Sequence, residues 1–385
     1  MRAVTDGRLP LDDKVRGHLD LCLDCRACES ACPSGVQYGK LIEPFRIELE
    51  KTAPAAAKLG WLTRLMLFGV TPYARRMRLA LAPARWMQRF GIDRLLEKSG
   101  LLRLLPQSMQ QMQAMLPRFG RHPGRLPETL SAEGKRRAKV ALFTGCAADA
   151  FFPDTNWNTA RVLQKNGCDV WIPRAQVCCG ALHYHAGQEQ PAKNFASQNS
   201  DIFGARLSEV DAIIVNAAGC GAMLKDYGHL LGGDLGQRFA AKVKDISEFL
   251  VQLGPIPPTH PLPLKAVYHD ACHLCHGQQI RQPPRQLLQM IPGLQLLQLA
   301  EGEICCGAAG SYNLTQPDMA ERLGQRKAGH IEATGAEAVF TGNVGCILQV
   351  ARHLKRTQPD IWVGHWVDAL WASYAQTEAS RGKYG

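Results

Sequence analysis

The chain has 385 residues, 46% hydrophobic and 21% charged, enough apolar material for two or three domain cores and too little charge for a disordered chain. Fourteen cysteines are far above ordinary usage, yet no apolar leader follows Met1. The disulfide framework of small exported domains therefore fits poorly, and metal-bound thiolates in a reducing, cytoplasmic setting fit better. No uninterrupted apolar run reaches the roughly 18 residues of a membrane-spanning helix, and the net charge of +11 must be located before it is interpreted.

Residues 1–21 are short for a domain, with Leu9-Pro10-Leu11-Asp12-Asp13 suited to cap a brief helix. Then comes Cys22-Leu-Asp-Cys25-Arg-Ala-Cys28-Glu-Ser-Ala-Cys32-Pro33. This is C-x2-C-x2-C-x3-C-P, the bacterial spacing of cysteines that hold [4Fe-4S] clusters. Three thiolates two residues apart wrap one corner of a small cluster, while the fourth is aimed elsewhere by a turn and a proline. C-x2-C alone would also describe zinc sites and redox dithiols, but four cysteines in this order are far more specific.

Ile42, Phe45, Ile47 and Leu49 among charges predict a helix from Val36 to about Glu50, with Pro44 near its start or kinking it. Residues 55–119 are broken by Gly69, Pro72, Pro83, Gly91, Gly100 and Pro106, which predicts several short helices. Between residues 60 and 125 twelve Lys or Arg stand against only Asp93 and Glu97, mixed with Trp61, Met66, Phe68, Trp86 and Phe90. Such a stretch suits peripheral contact with an anionic membrane face, an acidic partner, or plain solvent. Nucleic acid is set aside, because no zinc finger, RNP-like stretch or helix-turn-helix pattern accompanies the charge. Residues 122–137 read as a linker.

A strand–helix alternation then begins. Strands are expected at Lys139–Thr144, Cys168–Ile172 and Asp211–Val215, with a helix over Asn158–Lys165, which predicts a mostly parallel α/β sheet. Cysteines fall just beyond the strand ends, where such sheets place their sites. Strands at Lys265–Tyr268 and Ala336–Phe340 open the same pattern again. Cys146, Cys178, Cys179 and Cys220 recur as Cys272, Cys305, Cys306 and Cys346, offset by 126 or 127 throughout. The second half is a duplicate of the first, with Pro255 to Pro263 as the connector.

Adjacent cysteines chelate one small ion poorly, because successive side chains point apart. They either reach two irons of a larger cluster, or one ligates while its neighbour packs, and Gly180 and Gly307 permit a tight turn there. A redox dithiol and buried structural thiols are the competing readings. Cys275 is an extra cysteine beside His269, His273 and His276, any of which is a candidate ligand or potential-tuning neighbour. Cys168 opens an apolar strand and reads as structural. His183, His185, His229, His353 and His365 have no spacing that singles them out. With no G-x-G-x-x-G, Walker A or nucleophile elbow, the chain offers no flavin or nicotinamide site of its own, which points to an electron relay.

The motif with its following Ser34-Gly35-Val36-Gln37-Tyr38-Gly39, the two Cys-Cys-Gly-Ala units, Tyr268-His269-Asp270-Ala271-Cys272-His273 and Thr341-Gly342-Asn343-Val344-Gly345-Cys346 resemble the iron–sulfur subunits of bacterial glycolate oxidase. The similarity covers essentially the whole chain. Its CCG module is shared with heterodisulfide reductase, anaerobic glycerol-3-phosphate dehydrogenase and lactate-utilisation subunits. The resemblance implies a mainly α, ferredoxin-like cluster domain at 1–135 and two α/β CCG domains at 136–258 and 259–385. It implies one or more [4Fe-4S] clusters, FAD-containing partner subunits that oxidise glycolate to glyoxylate, and electron delivery to the quinone pool at the inner face of the cytoplasmic membrane. The family carries two C-x2-C-x2-C-x3-C-P motifs and this chain one. Met1-Arg2-Ala3 resembles the tail of the family's preceding segment, which implies a start placed too far downstream. The CCG pattern elsewhere ends in C-x-x-C, whereas Met223 and Gln349 stand here. A zinc-binding scaffold is the alternative from another class.

Overall fold

The computed structural model describes residues 1–52, 60–99, 113–120 and 123–375. Up to residue 99 every regular element of the described chain is a helix. The expected helix runs Gly39–Thr52, with Pro44 in its second turn and Ile42, Glu43, Ile47 and Leu49 buried. Short helices follow at Ala74–Ala80, Ala82–Arg89 and Ile92–Ser99. Those expected between 100 and 112 lie outside the described residues.

Two sheets follow. In the first, β1 (Thr129–Leu130), β2 (Ala138–Phe143), β3 (Cys168–Trp171), β4 (Ala212–Val215) and β5 (Val243–Asp245) lie in the order β1-β3-β2-β4-β5. In the second, β6 (Lys265–Tyr268), β7 (Gln295–Leu297), β8 (Ala338–Thr341) and β9 (Trp362–His365) lie in the order β7-β6-β8-β9. Every pairing is parallel except β1 with β3. The linker expected before β2 thus contributes an antiparallel edge strand. Strands β5, β7 and β9 were not legible in the sequence, because three or four residues between helices show no alternation to count.

The duplication reaches the register. Lys139 pairs with Asp169 as Lys265 does with Gln295, and Val140 with Ala212 as Ala266 does with Ala338, each residue 126 beyond its counterpart. Even the strand entrance repeats. Lys139 N–H donates to Asp211 Oδ2 at 2.8 Å, and Lys265 N–H to Glu337 Oε2 at 3.0 Å.

The repeats are not separate beads. One apolar cluster takes in Val140, Leu142 and Ile214 of the first sheet and Ala266, Tyr268 and Phe340 of the second, together with Ile246, Leu250, Trp366 and Leu370 from the two closing helices. The connector is pinned across this junction: Tyr374 Oη donates to the Ile256 carbonyl, and the His260 amide to the Ser373 carbonyl at 3.0 Å. With both repeats locked together, their cysteine-bearing loops are held in fixed relation.

Candidate metal centres

In the first repeat β2 leads through Gly145 to Cys146 at the start of a short helix, β3 leads to Cys178 and Cys179, and β4 leads to Cys220 in the helix Ala218–Lys225. Cys146 Sγ lies 3.4 Å from Cys178 Sγ, and Cys179 meets Cys220. Both members of the adjacent pair therefore face the group. What makes this possible is Gly180, at φ +87° with Ala192 backbone where a Cβ would reach, so the chain folds back directly after the pair. Its amide then points at Cys178 Sγ at 3.4 Å. Asn199 holds the loop by accepting from the Val177 amide at 3.0 Å and donating to the Cys178 carbonyl at 3.0 Å.

The second repeat copies this with Cys272, Cys305, Cys306 and Cys346. Gly307 also sits at φ +87°, and its amide lies 3.4 Å from Cys305 Sγ. Contacts run from Cys272 to Cys305, from Cys305 to Cys306 and from Cys306 to Cys346. Neighbouring thiols together with burial push Cys146, Cys179, Cys272 and Cys306 well above the ordinary thiol range. These thiols resist ionising on their own, and a cationic metal is the natural counter-charge. Soft sulfur donors with amides aimed at sulfur suit iron–sulfur clusters or zinc rather than hard ions. The donor set fits.

Cys275 stands apart. It lies in a wide π turn, His273–Gly277, and its thiol is directed at the Cys272 carbonyl at 3.8 Å rather than at the other sulfurs. Candidacy as a compensating ligand is not supported by that placement. Cys168 is fully buried in the shared core, and burial pushes its thiol up to about 12.

Around the N-terminal motif, Asp24 at φ 52° and Arg26 at φ 58° bracket Cys25. Left-handed backbone at two non-glycine residues costs on the order of 1–3 kcal/mol each and is retained where surroundings enforce it. Cys25 is pushed up to about 11, first by burial and then by Cys272, Cys22 and Cys28, which places all four thiols in one neighbourhood. Cys32 does not belong to it. Its thiol accepts from the Val36 and Ser34 amides, which lowers its pKa.

The loop is clamped onto both repeats. His273 Nε2 meets the Asp24 carbonyl at 3.0 Å, His276 Nδ1 meets Ser30 Oγ at 2.9 Å, and Tyr312 Oη donates to the Leu21 carbonyl at 2.9 Å. Arg46 Nη2 donates to the Cys22 carbonyl at 2.6 Å. Buried charges complete the clamp. Arg26 bridges Glu43 (3.1 Å) and Asp226 (3.3 Å), and His185 Nδ1 lies 3.1 Å from Asp24 and 3.2 Å from Glu43. Burial opposes the His185 charge, but the two carboxylates overcome it and hold its pKa at about 9. A cavity of about 420 Å³ opens here, lined by Cys22, Arg46, His185, His273 and Tyr312 among others. Sequence reasoning passed over His185, Asp24, Glu43 and Tyr312, because their partners come from three separate parts of the chain.

The cysteine-rich CCG domain family matches at residues 140–225 and 266–351, and the linker region of glycolate oxidase iron–sulfur subunits at 58–116. A probable glycolate oxidase iron–sulfur subunit of Bacillus subtilis (strain 168) is 37% identical over 365 residues, covering 92% of this chain and 82% of the relative. The glycolate oxidase iron–sulfur subunit of Escherichia coli (strain K12) is 31% identical over 93% of this chain and 82% of the relative. Lactate utilization protein A of Shouchella clausii (strain KSM-K16) is 31% identical over 60% of this chain and 98% of that protein. With matching repeats, matching linker and similarity over most of its length, the chain belongs to the family of glycolate oxidase iron–sulfur subunits.

Proposed function

We propose that this chain is the electron-transfer subunit of a membrane-associated glycolate dehydrogenase. A partner FAD subunit oxidises glycolate to glyoxylate, releasing two electrons and two protons, and this chain passes the electrons singly toward a quinone, which takes up two of each. Cys22, Cys25 and Cys28 would hold a [4Fe-4S] cluster in a ferredoxin-like domain, and Cys146, Cys178, Cys179 and Cys220, with Cys272, Cys305, Cys306 and Cys346, would hold one centre per repeat. Iron–sulfur centres supply one-electron storage at potentials set by their surroundings.

The observation that carries this reading is the seating of the Cys22–Cys28 loop on the second repeat, where His273, the residue after Cys272, meets the carbonyl of Asp24, the residue before Cys25, at 3.0 Å. Adjacent centres in a locked framework suit a relay. Arg46 and Tyr312 fix the backbone at the mouth of the loop, and the Arg26, Glu43, Asp226 clamp ties it to the first repeat. Lactate is the second reading for the substrate, favoured by the lactate utilization protein A relatives.

Iron and acid-labile sulfide per chain, with EPR of anaerobically purified, reduced protein, test the proposal. A brown protein that bleaches on reduction, and that loses iron in Cys25→Ser and in Cys306→Ser, is expected. A colourless, zinc-loaded protein would overturn the reading in favour of a scaffold. Reduction by glycolate or by lactate through the flavoprotein partner separates the two substrates.

A further inference from the structure

The two repeats agree in strand register and in all four cysteines, so departures from their symmetry are informative. The sharpest falls where the chain leaves the matching strands β2 and β6. Where the first repeat has Phe143, the second, 126 residues on, has His269. Both side chains are fully buried. Phe143 packs on Phe203 and belongs to an ordinary apolar cluster, so nothing in the fold itself asks for a polar group at this position.

His269 is arranged as a ligand is. Its Nδ1 lies 3.1 Å from the Gly302 carbonyl, an acceptor only, so Nδ1 carries the proton and Nε2 the lone pair. Nε2 is buried and has no hydrogen-bond partner. A buried acceptor left without a partner is costly to the fold unless something occupies it. A ring nitrogen of His269 and the sulfurs of Cys306 and Cys346 all lie within 4.8 Å of one another, and with Nδ1 engaged on the carbonyl it is Nε2 that is left to face them. A backbone carbonyl on the far nitrogen is the usual support of a metal-bound imidazole. We propose that His269 is a metal ligand through Nε2, so that the second repeat holds a mixed nitrogen–sulfur centre and the first repeat an all-sulfur one. This rests on the reading of the cysteine groups as metal centres given above.

A second asymmetry points the same way. The helices Glu189–Gly204 and Pro317–Glu332 correspond with an offset of 128, which sets Lys327 opposite Asn199. Asn199 is neutral and bonds to the Cys178 carbonyl. Lys327 is 2% exposed, donates to the Glu301 carbonyl, and lies within electrostatic reach of Cys305, Cys306 and Cys346. A buried ammonium is tolerated beside negative charge, which a reduced metal–thiolate centre provides. A buried cation beside the second centre favours its more reduced state, and the first repeat has no counterpart to it. The second centre therefore has the higher potential, and the electron comes to rest there rather than in the first repeat.

The test is pulsed EPR of the reduced full-length protein, grown with natural or ¹⁵N-labelled histidine, and of His269→Asn and Lys327→Gln. A ligand-sized nitrogen coupling that changes with the label, disappears in His269→Asn and survives in Lys327→Gln is expected, with the potential of that signal shifted downward in Lys327→Gln. Absence of the coupling in unmodified protein whose second repeat holds a paramagnetic iron centre, a result that needs no variant to fold, overturns the proposal. So does its persistence in His269→Asn. If Cys306→Ser leaves metal content unchanged, the second repeat holds no centre, and it is the underlying reading that fails. Should the repeat hold EPR-silent zinc, X-ray absorption showing one nitrogen among the sulfurs upholds the ligand while removing the relay role.

Discussion

At the scale of single residues, the paired cysteines depend on the glycine behind them. Gly180 and Gly307 share φ +87°, and a Cβ would lie 3.2 Å from the Ala192 carbonyl oxygen in the first case and 2.7 Å from that of Ala320 in the second. Left-handed backbone costs a side-chain-bearing residue roughly 1–2 kcal/mol. Gly180→Ala should therefore destabilise by about that much, and Gly307→Ala by more, since its obstacle is rigid backbone at a distance real Cβ atoms do not adopt. Urea unfolding of the two variants checks the order, and equal costs would contradict it. Cys275 and His269 show the other side of residue-scale reading. Both were candidates by proximity in sequence, and only side-chain direction separates them.

Among the elements, the helical layer before the first repeat carries the exposed apolar and basic side chains expected there. Trp61 (77% exposed), Trp86 (58%), Phe90 (61%) and Leu95 (67%) stand out from it. Its arginines, however, divide into two kinds. Arg78 pairs with Asp149 at 3.3 Å, and Arg85 donates to the Ala150 carbonyl at 2.7 Å and covers the Phe119 ring, so these two fasten the layer to the first repeat. Arg75, Arg89 and Arg94 are exposed. Among the described residues no helix is long and apolar enough to cross a membrane. If the layer rests on an anionic bilayer, each outward arginine is worth about 1 kcal/mol there. Replacing Arg75, Arg89 and Arg94 by Gln should then weaken binding to anionic vesicles on the order of a hundredfold, while the fold is kept by Arg78 and Arg85. Unchanged partition would sink the membrane contact.

For the molecule as a whole, the decisive feature is that two copies of one unit share a core. The helix Trp366–Ala375 of the second repeat packs on Pro153–Lys165 of the first, and Asp368 at their junction accepts from Thr155 Oγ1 and Asn158 Nδ2, each at 2.8 Å. Burial pushes the Asp368 carboxyl from 3.8 up to about 6. Because the folded state holds this proton more tightly than the unfolded one, the contribution is full below about pH 4. It is lost as pH rises through about 6 and is constant above that. Two pKa units correspond to on the order of 3 kcal/mol. Chemical unfolding should show one transition for both repeats, with the stability difference between parent and Asp368→Asn drifting by up to that amount between pH 4 and pH 7. A difference independent of pH, or two separate transitions, would break the account.

Spacing is a local property, and the sequence by itself determined what spacing can carry. It gave up the Cys22–Cys32 motif, the 126-residue repeat, the parallel α/β class and eight of the cysteines now seen in two groups, because a cysteine at a strand end lies near its neighbours in any sheet of this kind. The short strands β5, β7 and β9 escaped, having too few residues for a period. Tertiary structure alone decided the rest. That His273 meets the Asp24 carbonyl, that His185 joins Asp24 and Glu43, and that one repeat offers an imidazole where the other offers a phenyl ring all depend on where distant segments meet and which way side chains turn. Such contacts are selected by packing of the whole core, and no local pattern encodes them.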